Sequence, residues 1–400
     1  MERVVVVGAG LAGLRTCEGL RARDYAGEIV LLGDESHLPY DRPPLSKQFL
    51  AGEWPLDKVW LRQNDQLEAL ALDRRQGPDN RAMSLDVEAR SVTLASGEHL
   101  SFDGLVIATG ASARTLPSLE AQPGVHLLRT IDDAVALRTV LTTPGARLLV
   151  IGGGFIGMEV AATARKLGAD VTVVEPLEFP LARVLGPLVG QACLRLHLDH
   201  GVRVLLGSEI DSVSRAVPGG AMAAVLTDGS AIDADAVLVG IGAVPNVGWL
   251  EGSGLEFSPR GVPCDETLQV APGIVVAGDL ALWPFGPGRD AVRLEHRTNA
   301  AEQGDHAAGT LLGSREPFVT VPYVWSDQYD VKIQVLGIPD PADEVVVVDG
   351  REEDGRFVAA FGRGGLLSAV VGISMPRSLM RFRPMLASAT PYTEALALLG

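Results

Sequence analysis

Val4-Val5-Val6-Val7-Gly8-Ala9-Gly10-Leu11-Ala12-Gly13 stands near the start of this sequence, and Leu148-Leu149-Val150-Ile151-Gly152-Gly153-Gly154-Phe155-Ile156-Gly157 repeats its pattern far downstream. Each copy is a β-branched run suited to a buried parallel strand, then G-x-G-x-x-G, then apolar residues at helical spacing: Leu14, Cys17 and Leu20, or Val160, Ala161 and Leu167. The first glycine permits a tight turn, the second lets backbone approach a pyrophosphate, and the third lets the helix pack close to the strand. The helix N-terminus then offers free N–H groups to the phosphates. One such loop would fit a ligand-free turn as well. Two complete copies argue for two dinucleotides, a flavin and a nicotinamide. The candidate contacts are Gly8, Gly10, Leu11, Ala12 and Gly13, and Gly152, Gly154, Phe155, Ile156 and Gly157.

The second strand of such a unit ends in an acid that hydrogen-bonds a ribose. Glu28 to Leu32 leads to Asp34 and Glu35, and Asp170 to Val174 leads to Glu175. Glu175 would accept from ribose hydroxyls and repel a 2′-phosphate, which favours NADH over NADPH; Arg183, further along, is left able to approach an adenosine phosphate. Strand-like sequence resumes at Leu105 to Ala108, a fresh βαβ unit starts near Arg147, and a short strand is expected over Ile274 to Ala277 with Asp279 at its end. Helical spacing through Ala300, Ala307, Ala308 and Leu311 precedes β segments expected at Lys332 to Leu336, Glu344 to Val348, Phe357 to Phe361 and Leu366 to Val371.

The 400 residues exceed one ordinary core, and 47% hydrophobic content with 46 Gly and 25 Pro excludes a disordered or collagen-like chain. A net charge of −16 argues against nucleic acid and anionic membrane as partners. Cys17, Cys193 and Cys264 are scattered with no C-x-x-C pair, so neither a disulfide framework nor a metal site is expected. Glu2 and Arg3 run straight into the first strand without a signal-peptide pattern, and the apolar stretch Leu148 to Met158 is too short to span a bilayer. The expectation is a cytoplasmic protein.

With these motifs in place, the chain resembles the FAD-dependent ferredoxin and rubredoxin reductases that feed bacterial oxygenases. The resemblance runs through Leu38-Pro39-Tyr40-Asp41-Arg42-Pro43-Pro44-Leu45-Ser46-Lys47, Ala108-Thr109-Gly110, both glycine loops, Gly240-Ile241-Gly242-Ala243-Val244-Pro245-Asn246, Ala277-Gly278-Asp279 and Trp325-Ser326-Asp327-Gln328. It implies an α/β fold like that of glutathione reductase: two Rossmann-type dinucleotide-binding domains plus a C-terminal α+β domain. The FAD-binding domain would comprise residues 1–113 and 243–317, the NADH-binding domain 114–242 and the C-terminal domain 318–400. The cofactors implied are FAD and NADH, and the partner a 2Fe–2S ferredoxin, or a rubredoxin, serving an oxygenase.

The resemblance also implies roles. Lys47, after the Arg42-Pro43 turn, would lie by the reactive part of the flavin and pair with Glu159, a residue that could otherwise favour the dipole of its helix from the first turn. Arg42 and Arg129 would hold the pyrophosphate and adenosine side, and Asp279, next to Gly278, the ribityl chain. Ala108, Thr109, Gly110 and Gly242 would line the cofactors, with Glu295, His296 and Trp325 toward flavin and nicotinamide. Without the resemblance, Asp279 reads as a helix cap, Arg129 as a solvated charge and Trp325 as an interior sheet residue.

Two departures stand out. Arg297 replaces the family's tryptophan in Glu295-His296-Arg297-Thr298-Asn299-Ala300. Residues 67–84, with Gly77-Pro78-Asp79-Asn80, depart from its short strand and turn and put the adenine-contact backbone near Ala82. A cysteine-dependent reductase lacks its essential thiol after the first ribose acid. An NADH oxidase or a redox-sensing flavoprotein, as in the more distantly similar apoptosis-inducing factor, is the alternative. Arg377, Arg381 and Arg383 fit a docking rim for an acidic ferredoxin or an ordinary solvated edge equally well.

Overall fold

The computed structural model describes residues 1–120, 122–215, 220–285 and 290–397. They form two compact units, one of Met1–Asp41, Leu56–Ser112 and Ala243–Thr320, the other of Arg42–Pro55, Ala113–Gly242 and Val321–Gly400.

The first unit is built on a six-stranded sheet in the order Gln269–Ala271, Ile274–Val276, Gly104–Ile107, Arg3–Val7, Glu28–Gly33 and Asp73–Gln76. All neighbours are parallel except the first pair. The run of four valines follows from its place: Val5 and Val7 pack with Val30, Leu105 and the antiparallel sheet residues Leu85, Val92 and Leu94. Val4 and Val6 pack on the other face with Leu20, Ala307 and Ala308 of the Leu11–Ala22 and Arg297–Leu311 helices. A strand covered on both faces has no polar side to alternate with. Residues 67–84 keep a strand and a turn after all. Asp73–Gln76 pairs in register with Val30–Gly33, and Pro78–Asn80 forms a single 3-10 turn.

The second unit repeats the arrangement: a parallel sheet ordered Arg203–Leu206, Asp170–Glu175, Arg147–Ile151, Ala236–Val239 and Val125–His126. Its Leu149, Ile151 and Val237 pack on Met222, Ala224 and Leu226 of a three-stranded antiparallel sheet. The unit also holds a five-stranded antiparallel sheet, Tyr323–Gln328, Val331–Gly337, Leu366–Ile373, Arg356–Arg363 and Glu344–Arg351 in spatial order. Short helices carrying Leu379 and Tyr392, with Phe382 at the start of the helix between them, cover one of its faces. The Tyr323–Gln328 strand goes beyond the β segments expected from the sequence. No helix among the described residues is long and apolar enough to cross a membrane.

Candidate active site

In the first unit, Gly8 takes φ +115°, and a Cβ there would sit 2.1 Å from the Ala108 carbonyl oxygen. A Cβ on Gly13 would sit 2.0 Å from the carbonyl oxygen of Gly8, so the helix presses directly on the loop. Gly10, between them, faces open space. The helix starting at Leu11 has no side-chain cap and no acid in its first turn, so its leading N–H groups are left for an anion. Asp34 is exposed beyond the second strand, whereas Glu35 accepts a hydrogen bond from the Tyr40 hydroxyl at 2.5 Å.

The Ala108–Gly110 turn is fixed by Asn246: the Thr109 hydroxyl donates to its carbonyl oxygen at 2.8 Å, and its amide nitrogen donates to the Thr109 carbonyl at 2.9 Å. Gly278 donates to Gln303, while the Asp279 side chain stays half-buried. Nearby, His296 has a buried Nδ1 without a hydrogen-bond partner among the described residues. Burial, only partly opposed by the charge of Asp279, lowers its pKa to about 4, so the ring is neutral at pH 7. Glu295 pairs with Arg293 at 2.7 Å. Arg297, at the start of its helix, donates through Nε to both oxygens of Asp41 at 2.7 and 2.8 Å. Ala82, at the start of its strand, is buried.

The second unit carries the same loop. Gly152 has φ +102°, a Cβ on Gly157 would lie 2.1 Å from the Gly152 carbonyl oxygen, and Gly154 has only one atom near it, at 3.8 Å. The Glu175 carboxylate is buried and accepts from the backbone N–H of Gly153 at 2.6 Å and of Leu177 at 2.9 Å. Arg183 is exposed. Arg42 reaches the Arg129 carbonyl oxygen at 2.5 Å, and a capping box of Thr130 and Asp133 starts the helix that follows. Gly242 has φ +105° and open space around it.

Lys47 and Glu159 meet as expected: Nζ lies 2.6 Å from Oε2, with side-chain exposures of only 10% and 4%. Nζ also donates to the Pro43 carbonyl at 3.0 Å and to Ser46 Oγ at 3.1 Å, which uses all three ammonium protons. Glu159 lies in the Phe155–Lys166 helix but beyond its first turn, and that first turn holds no acid. The reading of it as a first-turn dipole partner is therefore corrected; its charge faces Lys47. Trp325 is half-buried and stacks on Tyr323 with ring centres 5.8 Å apart. Strand alternation places it on the opposite face from Ser326.

Residues 2–304 match the Pyridine nucleotide-disulphide oxidoreductase family, and residues 323–398 match the Reductase C-terminal family. The chain belongs to the pyridine nucleotide-disulphide oxidoreductases. It is 36% identical to rhodocoxin reductase of Rhodococcus erythropolis, over 98% of this chain and 91% of that one. It is 38% identical to the anthranilate 1,2-dioxygenase system ferredoxin–NAD(+) reductase component of Burkholderia cepacia, over 98% and 96%. Its fold superposes on a chain of the covalent putidaredoxin reductase–putidaredoxin complex with a TM-score of 0.92 at 30% identity, over 100% of this chain and 99% of that one.

In this member of the family the three thiols are free, and burial pushes the pKa of each up to about 12. None offers the thiolate that disulfide exchange requires. Among the described residues no group of His, Cys, Asp and Glu is placed to hold a metal ion. The residues present fit two dinucleotides: two cradles open at Gly10 and Gly154, and a buried His296 nitrogen beside Asp279 that has no partner among the described residues. Sequence reasoning missed the supports of the site, Ser46, Ser326, Gln328, His197 and Asn246. Ser326 and Gln328 stand inside the Trp325-Ser326-Asp327-Gln328 motif, and their two-residue spacing marks one face of a strand. His197, remote in sequence, gave no signal.

Proposed function

We propose that this chain takes a hydride from NADH through bound FAD and delivers electrons to a 2Fe–2S ferredoxin that serves an oxygenase. Two dinucleotide cradles in a chain whose thiols are all held protonated carry this reading. When bound, FAD supplies two-electron acceptance from NADH and one-electron release to an iron–sulfur partner. The first loop, Asp34, Glu35, Arg42, Pro43, Ala82, Ala108–Gly110, Arg129, Gly278 and Asp279 would hold it. His296, Glu295 and Trp325 would bound the ring. The second loop, Glu175, Arg183 and Gly242 would hold NADH. On this assignment residues 1–113 and 243–317 serve the flavin and 114–242 the nicotinamide, with 318–400 as the C-terminal domain.

The contribution of the protein is positional and electrostatic. Lys47 is a fully donated, nearly buried cation whose charge would favour negative charge on a bound flavin, and Glu159 fixes where that cation points. Glu175 has one lone-pair direction of each oxygen taken by loop amides, which fixes the carboxylate where a ribose diol can donate and a 2′-phosphate is repelled. Free thiols fit the reducing environment of a cytoplasmic location. Lys47→Met tests the central role: NADH-driven flavin reduction in a stopped-flow spectrometer should slow by about tenfold to a hundredfold. An unchanged rate constant in a fully FAD-loaded variant would remove Lys47 from the reaction.

A further inference from the structure

Behind Glu159 the second unit holds a column of buried polar side chains that the Lys47 pairing does not require. Ser326 Oγ lies 2.7 Å from Glu159 Oε1, Gln328 Nε2 lies 3.1 Å from Ser326 Oγ, and Gln328 Oε1 lies 3.0 Å from His197 Nε2 and 3.3 Å from Cys193 Sγ. His197 Nδ1 lies 3.2 Å from the Tyr329 hydroxyl. Ser326, Gln328 and His197 are each fully buried.

The carboxylate end settles the direction of every bond. A carboxylate paired with Lys47 only accepts, so Ser326 must donate its single proton to Glu159 and must itself accept. The Gln328 group against it is therefore the amide NH₂, which turns the Gln328 oxygen to His197 and Cys193. That oxygen cannot donate, so His197 carries its proton on Nε2 and accepts on Nδ1 from Tyr329. The ring is neutral to match: burial lowers its pKa to about 4, and burial likewise raises that of the Tyr329 hydroxyl. Every donor in the column points toward Glu159.

We propose that Ser326, Gln328 and His197 are positioning residues for this reaction, a one-way donor relay that locks the Glu159 carboxylate so that Lys47 stays anchored. This rests on the reading of Lys47 as the flavin-side cation. In the relay each amide, imidazole and hydroxyl dipole is aligned with the next, and such aligned bonds strengthen one another in a dry interior. Without Ser326, Oε1 of a buried carboxylate loses its donor, and Glu159 is held through Oε2 alone, by Lys47 and Ser46, so it turns more readily away from Lys47. Rotation of Glu159 would leave Lys47 held only by Pro43 and Ser46, and the lysine would sample the adjoining cavity of about 540 Å³, lined in part by Lys47, Thr163, Lys166, His200 and Tyr329.

The sequence offers a direct assay, because Lys47, Lys58, Lys166 and Lys332 are its only lysines. The FAD-loaded protein is acetylated with a limiting active ester and the rate at each lysine is read by peptide mass spectrometry. The relay predicts that Ser326→Ala and Gln328→Leu raise the rate at Lys47 by about fivefold, as loss of one buried hydrogen bond would, and leave the other three lysines unchanged. Ser326→Thr, which keeps the hydroxyl, should return Lys47 to the wild-type rate. Unchanged labelling of Lys47 in Ser326→Ala, or an equal rise at all four lysines, would overturn the relay. Flavin reduction by NADH in Lys47→Met tests the underlying reading separately, since its failure would leave the labelling pattern intact.

Discussion

At the residue scale, the decisive feature is an ion pair that is almost dry. Lys47 and Glu159 expose 10% and 4% of their side chains, so each depends on the other for compensation of its lost hydration. Glu159→Leu strands the ammonium, and equilibrium urea unfolding should show a loss of about 3–5 kcal/mol; a loss below about 1 kcal/mol would mean that water already solvates Lys47. His197 supplies a second test, through pH. Its unfolded pKa near 6.5 drops to about 4 in the folded protein because burial penalises the charged ring. Between those values the unfolded chain binds a proton that the folded chain does not, so stability is full above about pH 6.5 and falls as pH drops toward 4. The loss amounts to about 3 kcal/mol. His197→Gln should flatten that slope in urea titrations at pH 7, 6 and 5, and an unchanged slope would assign it to other groups.

At the scale of elements, each glycine loop divides its labour between packing and binding. A Cβ on Gly13 would overlap the Gly8 carbonyl oxygen, whereas a Cβ on Gly10 would meet nothing. Gly13→Ala should therefore destabilise the flavin-free protein by at least about 1–3 kcal/mol in thermal unfolding. Gly10→Ala should melt like the wild type without flavin yet retain little FAD after gel filtration, because the methyl group occupies the space a pyrophosphate needs. Equal flavin content in Gly10→Ala and wild type would sink this division. These loops were legible from the sequence because a strand buried on both faces, a fixed glycine spacing and a helical period all point the same way. The Tyr323–Gln328 strand was less so: its inner face carries Ser326 and Gln328, so apolar alternation is missing where the polar relay runs. The polar stretch at 77–80 hid an edge strand for a related reason, since Asp73–Gln76 pairs through its backbone and all four residues are only half-buried. Arg297, a departure on paper, is held by Asp41, a partner that no sequence period connects to it.

At the scale of the whole molecule, a chain of net charge −16 joins two repeats of one architecture, each with its own sheet, loop and ribose acid. Duplication explains why the fold class and both cofactors could be read from motifs alone. The second tier of the site could not be read in the same way, because Lys47, Glu159, His197 and Ser326 come from four separate stretches that only tertiary packing unites. The most direct test of the account is anaerobic stopped-flow spectroscopy of the FAD-loaded protein, mixed first with NADH or NADPH and then with an oxidised 2Fe–2S ferredoxin. The flavin band should bleach fast with NADH and much more slowly with NADPH, and return as the ferredoxin is reduced. Bleaching by NADH with no electron transfer to any 2Fe–2S ferredoxin tested would contradict it.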